Sequence, residues 1–192
     1  MGSVMPPTDL KGSPRFDRTS AAILDAAARV FADEGAGANL ASVAAAAGVS
    51  RATLYRYYAN RESLLEALAA DALGDAASRL ADAGLQRATV EDAIERIVRA
   101  FVAVGARYTV LISDLPRVEK ADKSQLQMPV RAVLERGVET GVLRNDLPVE
   151  VLNELLAGAA LSAIKLTQHQ HLGLEEASAA AASLFLNGAR PR

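Results

Sequence analysis

Arg51, Thr53, Tyr57 and Arg61 bring hydrogen-bond donors and fixed positive charge to one short stretch of the chain. A guanidinium can grip a phosphate or the edge of a guanine with two parallel bonds, and a hydroxyl can bond a phosphate. Between Ser50 and Arg61 there are three arginines and no acidic residue. That composition suits a polyanion, but it also suits an ordinary solvated helix face, so the elements that carry these residues decide the reading. Other chemistries find less support. His169 and His171 stand two apart, which on a helix points them to different sides, and no cysteine is available as a further ligand. No metal is therefore expected there. Glu175 and Glu176 are adjacent and give no acid–base geometry. The chain has no phosphate-binding glycine loop and no nucleophile elbow, so neither an enzyme nor a cofactor is expected.

The stretch from Asn39 to Arg61 reads as two short helices joined by a tight turn. Asn39 can cap the first, because its side-chain oxygen accepts a bond from an orphan N–H of the first turn. Leu40, Val43, Ala44 and Ala47 follow as an apolar stripe at helical spacing. Gly48 supplies the left-handed residue that ends a helix cheaply. Val49 is an apolar plug, and Ser50 caps the second helix. In that helix Leu54, Tyr55 and Tyr58 are expected to turn inward, leaving Arg51, Ala52, Thr53, Arg56 and Tyr57 outside.

Two such short helices cannot stand alone. A third is expected upstream, capped by Asp17 or Thr19, with Ile23, Ala26, Ala27, Val30 and Phe31 on one face and a stop near Gly35. Downstream, Asn60 caps a long helix through Leu64, Leu65, Leu68 and Ala72 toward Leu80, with Gly74 a weak point.

The run AGVSRATLYRYYANRESLL resembles the helix-turn-helix of the tetracycline-repressor (TetR) family of bacterial regulators. The resemblance covers about Arg18 to Leu65, roughly the first third of the chain, with turn, plug and paired aromatics at the family spacing. One departure is Ala52, where the family often has glycine; alanine still permits close approach to DNA. The resemblance implies a DNA-binding set of Asn39, Ser42, Ser50, Arg51, Ala52, Thr53, Tyr55, Tyr57 and Arg61. In that set Arg51 reads guanine or phosphate, Tyr57 and Arg61 hold the backbone, and Tyr55 is a core residue whose hydroxyl reaches the surface.

The whole chain fits this reading. Its 192 residues can bury a sizeable core, and its 51% hydrophobic content marks a globular protein. The net charge of −2 is close to neutral, but beyond Ala70 there are 14 basic residues against 16 acidic ones. A local basic edge on a mildly acidic body suits a protein that touches DNA through one small surface. The absence of cysteine fits a bacterial cytoplasm, and no apolar run is long enough to suggest a membrane partner.

The rest of the chain is helical in pattern. A helix from Thr89 carries Val90, Ile94, Ile97, Phe101, Val104 and Tyr108 on one side and Val98, Val102 and Ala106 on another, which marks a central position. Thr109–Pro116 reads as a break. Another helix holds Met128 and Val130 to Val138 and must start or kink at Pro129. Two more cover Val149–Gln168, with Pro148 in its first turn, and Glu175–Leu186. The expected fold is all-α with about nine helices. It divides into a tail (1–16), a three-helix DNA-binding domain (17–73) and a C-terminal regulatory, ligand-binding and dimerisation domain (74–192).

The resemblance also implies what that last domain does. Phe101, Val104, Tyr108, Ile112 and Met128 become candidates for an effector pocket, although their periodicity alone reads as core. Leu152, Leu155, Ala159, Ala163, Ala181 and Phe185 become candidates for a homodimer interface. The function implied is a ligand-responsive repressor that binds a palindromic double-stranded operator as a dimer and is released by a small-molecule effector. The alternative is a helical interaction protein of the same fold that regulates through a protein partner.

Overall fold

The computed structural model describes residues 14–34, 38–105, 124–169 and 171–191. Eight helices and no strand occur among them: α1 (Pro14–Glu34), α2 (Leu40–Ala46), α3 (Arg51–Tyr57), α4 (Arg61–Asp82), α5 (Val90–Val104), α6 (Ser124–Glu139), α7 (Val149–Gln168) and α8 (Leu174–Ala189). The all-α expectation holds among the described residues, which contain eight of the about nine helices expected. Tyr108, Ile112 and the break at Thr109–Pro116 lie outside the described residues, as does Gly35. The chain separates into two compact units, Met1–Leu68 and Ala69–Arg192.

In the N-terminal unit α1 starts at Pro14, so Asp17 and Thr19 lie inside the helix and do not cap it. Proline suits a first helical position, where its missing N–H has no intrahelical partner to lose. Ile23, Ala26, Ala27, Val30 and Phe31 are buried, as are Val43, Ala44, Leu54 and Tyr58. The α1–α2 and α2–α3 pairs pack on each other. The hydroxyls of Ser20 on α1 and Tyr58 share a hydrogen bond of 2.7 Å, which ties the end of α3 to α1. The first turns of α4 bury Leu64, Leu65 and Leu68.

The C-terminal unit is built around α5, which packs on α6, α7 and α8. Both sides of α5 are buried, from Val90 and Ile94 to Val102 and Val104. Small residues line the partner helices: Ala160 and Ala163 on α7, and Ala177, Ala181, Ala182 and Ala189 on α8 are all buried. Small side chains let helix axes approach closely, and α7 and α8 pack on each other more extensively than any other pair. Helix α6 starts before Pro129 and runs through it, so the proline does not begin the helix, and its missing N–H leaves the Gln125 carbonyl without that bond. Pro148 sits one residue earlier than expected, at the N-cap of α7.

Two contacts seat the end of α6. Arg136 donates to the carbonyls of Leu85 (3.1 Å), Gln86 (3.3 Å) and Ala88 (3.0 Å) in the α4–α5 turn. At Gly137 an added Cβ would lie 2.6 Å from Leu143 Cδ1 and 3.0 Å from Val90 Cγ1, so only glycine allows this approach.

Burial distributes the residues singled out in this unit between core and surface. Leu152 and Ala163 are fully buried, and Ala181 and Phe185 nearly so, all in the chain's own core. Their side chains pack within this unit. The exposed large apolar residues of these helices are Val151, Leu155 and Leu166 on α7, at 39, 55 and 37% exposure, and Leu174 and Leu184 on α8, at 37 and 75%. Leu155 alone of the expected set faces fully outward; Ala159 is half-buried. Met128, expected in a pocket, is 68% exposed, whereas Phe101 and Val104 are packed into the core.

Candidate nucleic-acid interface

Helices α2 and α3 have seven residues each, too few to persist on backbone bonds alone, so their ends must be held locally. Asn39 Oδ1 accepts from the N–H groups of Ala41 (2.9 Å) and Ser42 (3.0 Å). Ser50 Oγ accepts from the N–H of Thr53 (3.0 Å) and shares a hydrogen bond with the Thr53 hydroxyl (2.9 Å). Between them Gly48 adopts φ of +66°, the left-handed turn read from the sequence. Val49 N–H then reaches back to the Ala44 carbonyl, closing the end of α2. Asn60 Oδ1 caps α4 by accepting from the N–H of Ser63 (2.8 Å), and the Ser63 hydroxyl oxygen accepts from the N–H of Asn60 (3.2 Å).

Burial sets which side of α3 meets solvent. Leu54 and Tyr58, four residues apart, are buried, whereas Arg51 at the helix start and Ala52, Tyr55 and Arg56 are exposed. Tyr55 therefore differs from the expectation: it is 45% exposed and no part of the core. It follows Leu54 by one residue, about 100° around the helix, and cannot share its direction. Tyr57 shifts the other way. It is half-buried, its ring tilted against Tyr58 at 6.5 Å, with the Arg56 guanidinium 5.7 Å from its centroid. Arg56, absent from the expected contact set, is exposed like Arg51; a second arginine among the outward positions of the same short helix was the available signal.

The remaining expected residues lie on or beside α2, α3 and α4. Asn39 and Ser50 are exposed, with their acceptor oxygens committed to capping. Ser42 and Thr53 are half-buried. Arg61 is the first residue of α4, half-buried, with its guanidinium carbon 5.0 Å from the centre of the Phe31 ring. Far along the chain, His169 and His171 stand with ring centres 6.1 Å apart. Among the described residues no three His, Cys, Asp or Glu side chains gather as a metal site, and no helix is long and apolar enough to cross a membrane.

A capped seven-residue helix, a left-handed glycine turn and a second capped helix with arginines on its free face are the parts of a helix-turn-helix. Residues 23–68 match the family model described as bacterial regulatory proteins, tetR family. The repressor AcnR of Corynebacterium glutamicum is 32% identical over 139 residues, which cover 70% of this chain and 73% of AcnR. The chain belongs to the TetR family. A second TetR-family relative, the repressor LfrR of Mycolicibacterium smegmatis, is 44% identical over 94 residues. That match covers 46% of this chain and spans about half, 47%, of LfrR. The crystal structure of the Mycobacterium smegmatis LfrR with proflavine superposes with a TM-score of 0.69 at 24% identity, over 89% of this chain and 96% of that one. This likeness extends the TetR fold across both units, including the C-terminal helices where the family model does not match.

Proposed function

We propose that this TetR-family protein represses transcription as a homodimer on a palindromic operator in the bacterial cytoplasm. The observation that carries the reading is the exposed face of α3, with Arg51, Ala52, Tyr55 and Arg56 side by side on a helix whose start is capped and whose far side is buried. An α-helix fits the major groove of B-DNA, about 12 Å wide. Arg51 and Tyr55 meet base edges there, and Ala52 allows close approach. Arg56, Thr53 and Tyr57 bond flanking phosphates, and Arg61 adds a phosphate contact at the positive end of α4. Asn39 and Ser42 hold the approach from α2. The chain acts through binding and not catalysis.

Dimerisation uses the outward apolar stripe of α7 with Leu184 of α8. Val151, Leu155 and Leu166 recur at helical spacing, and the exposed Gly158 and Ser162 between them leave room for a second helix. A twofold dimer then sets two α3 helices about 34–36 Å apart, one turn of DNA. LfrR has been crystallised with proflavine. By analogy the C-terminal unit here takes a small-molecule effector, which releases DNA by binding more tightly to the conformer that fits the operator less well. Helix α4 contributes residues to both units and is the continuous element along which that preference travels.

The test is affinity for a duplex enriched from a random-sequence pool by the full-length protein, measured across salt concentrations. Tight, sequence-selective binding with log K falling steeply against log salt is expected. Equal affinity for unrelated duplexes would exclude an operator-binding role.

A further inference from the structure

Arg61 combines two features that arginine on a protein surface seldom has together: it opens α4, and its guanidinium lies against an aromatic ring of another helix, Phe31 of α1. Phe31 is 5% exposed, so the ring is fixed by the core, and Arg61 is half-buried over it. We propose that Phe31 is a positioning residue for DNA binding, holding the Arg61 guanidinium in place before the phosphate arrives. This rests on the reading of Arg61 as a phosphate contact.

The physical case is one of conformational freedom. A free arginine side chain samples many rotamers, and a phosphate must arrest them when it binds. A cation resting on a ring face is attracted by the ring quadrupole and has part of that ordering already made. The reciprocal pair of Asn60 and Ser63 fixes the backbone of the same turn. Backbone and side chain are thus ordered by separate devices. Arg51 provides the contrast within the unit, being exposed at the start of α3.

The experiment uses the full-length protein and the duplex enriched by it. Arg61→Ala should weaken binding and flatten its salt dependence; if it does neither, Arg61 is no phosphate contact and both readings fall. With Arg61 in place, Phe31→Leu should weaken binding about two- to fivefold, the size of a partly exposed cation–π contact. In the Arg61→Ala background Phe31→Leu should add nothing. A merely structural role for Phe31 would weaken binding equally in both backgrounds and overturn the proposal while leaving Arg61 as a contact. Stoichiometric titration sets the active fraction, so that each variant is scored on its folded molecules. Nitrogen relaxation of the arginine Nε groups in the free, unmodified protein supplies a second readout that needs no variant. Arg61 Nε should be more restricted than Arg51 Nε; equal mobility of the two overturns the proposal.

Discussion

The seven-residue helices α2 and α3 each begin at a side chain bonded to a backbone N–H, as do the longer α4 and α5, whereas α7 and α8 begin at Pro148 and Gly173 with no side-chain cap. Length explains part of the contrast. A seven-residue helix has as many orphan backbone groups as a twenty-residue one but far fewer bonds between them. Helices α7 and α8, of 20 and 16 residues, are held by burial along their length. Polar contacts written into a few adjacent residues therefore define the DNA-binding segment. Packing between distant segments defines the C-terminal unit. Substitutions should separate the two.

The largest expected effect is in the packed unit. Leu152 is fully buried and its neighbour on the same helix, Leu155, is 55% exposed. Leu152→Ala should cost about 2–5 kcal/mol of stability, the range for a buried leucine that leaves a cavity. Leu155→Ala should leave the fold of the protomer nearly unchanged. Denaturant unfolding of both variants checks the pair. Equal losses would mean that the assignment of inward and outward faces on α7 is wrong.

A charge on the outward stripe breaks assembly without breaking the core. The double variant Leu155→Glu, Leu184→Glu should yield a folded monomer by light scattering and circular dichroism. Operator affinity should fall by orders of magnitude, because the two half-sites are no longer held together. A variant that remains dimeric would place the interface elsewhere.

The turn glycine comes next. Gly48 holds φ of +66° with open space around its Cα, so Gly48→Ala meets no neighbour and is penalised through backbone strain alone. A loss of about 1–2 kcal/mol is expected. Gly48→Asn should recover part of it, because asparagine visits the left-handed region more readily. Thermal unfolding of both variants distinguishes strain from a steric cause, which would penalise asparagine more.

The same contrast explains what could be read in the sequence. Asn39, Gly48, Ser50 and Asn60 were legible because a cap or a left-handed turn restricts residue type at the position itself. Tyr55 was misread because three of the four residues from Tyr55 to Tyr58 are tyrosine, and hydrophobicity alone does not set the phase of so short a helix. Only the burial of Leu54 and Tyr58 does so. On α7, Leu152, Leu155 and Leu156 give apolar residues on more than one side, and the side that meets the core is chosen by α5 and α8, far away in sequence. Phe101 and Val104 were legible as apolar, but whether they line a cavity or fill the core depends on what packs opposite them.

The smallest expected effect is also the one that separates stability from DNA binding. Asn39 Oδ1 accepts two backbone N–H bonds at an exposed helix start, so in Asn39→Ala water can replace it. The expected loss is about 0.5–1 kcal/mol, the lower part of the range for N-caps. Asn39→Asp keeps the acceptor oxygens and adds a negative charge at the positive end of α2, which should leave stability equal or slightly raised. That charge would, however, stand beside the face assigned to DNA. If the assignment is right, Asn39→Asp binds the enriched duplex more weakly than Asn39→Ala, although it is the more stable protein. The difference should grow as salt is lowered and repulsion from the phosphates is less screened. Affinities that instead follow stability, with the aspartate variant the tighter binder at low salt, would remove Asn39 from the interface and leave it a cap alone.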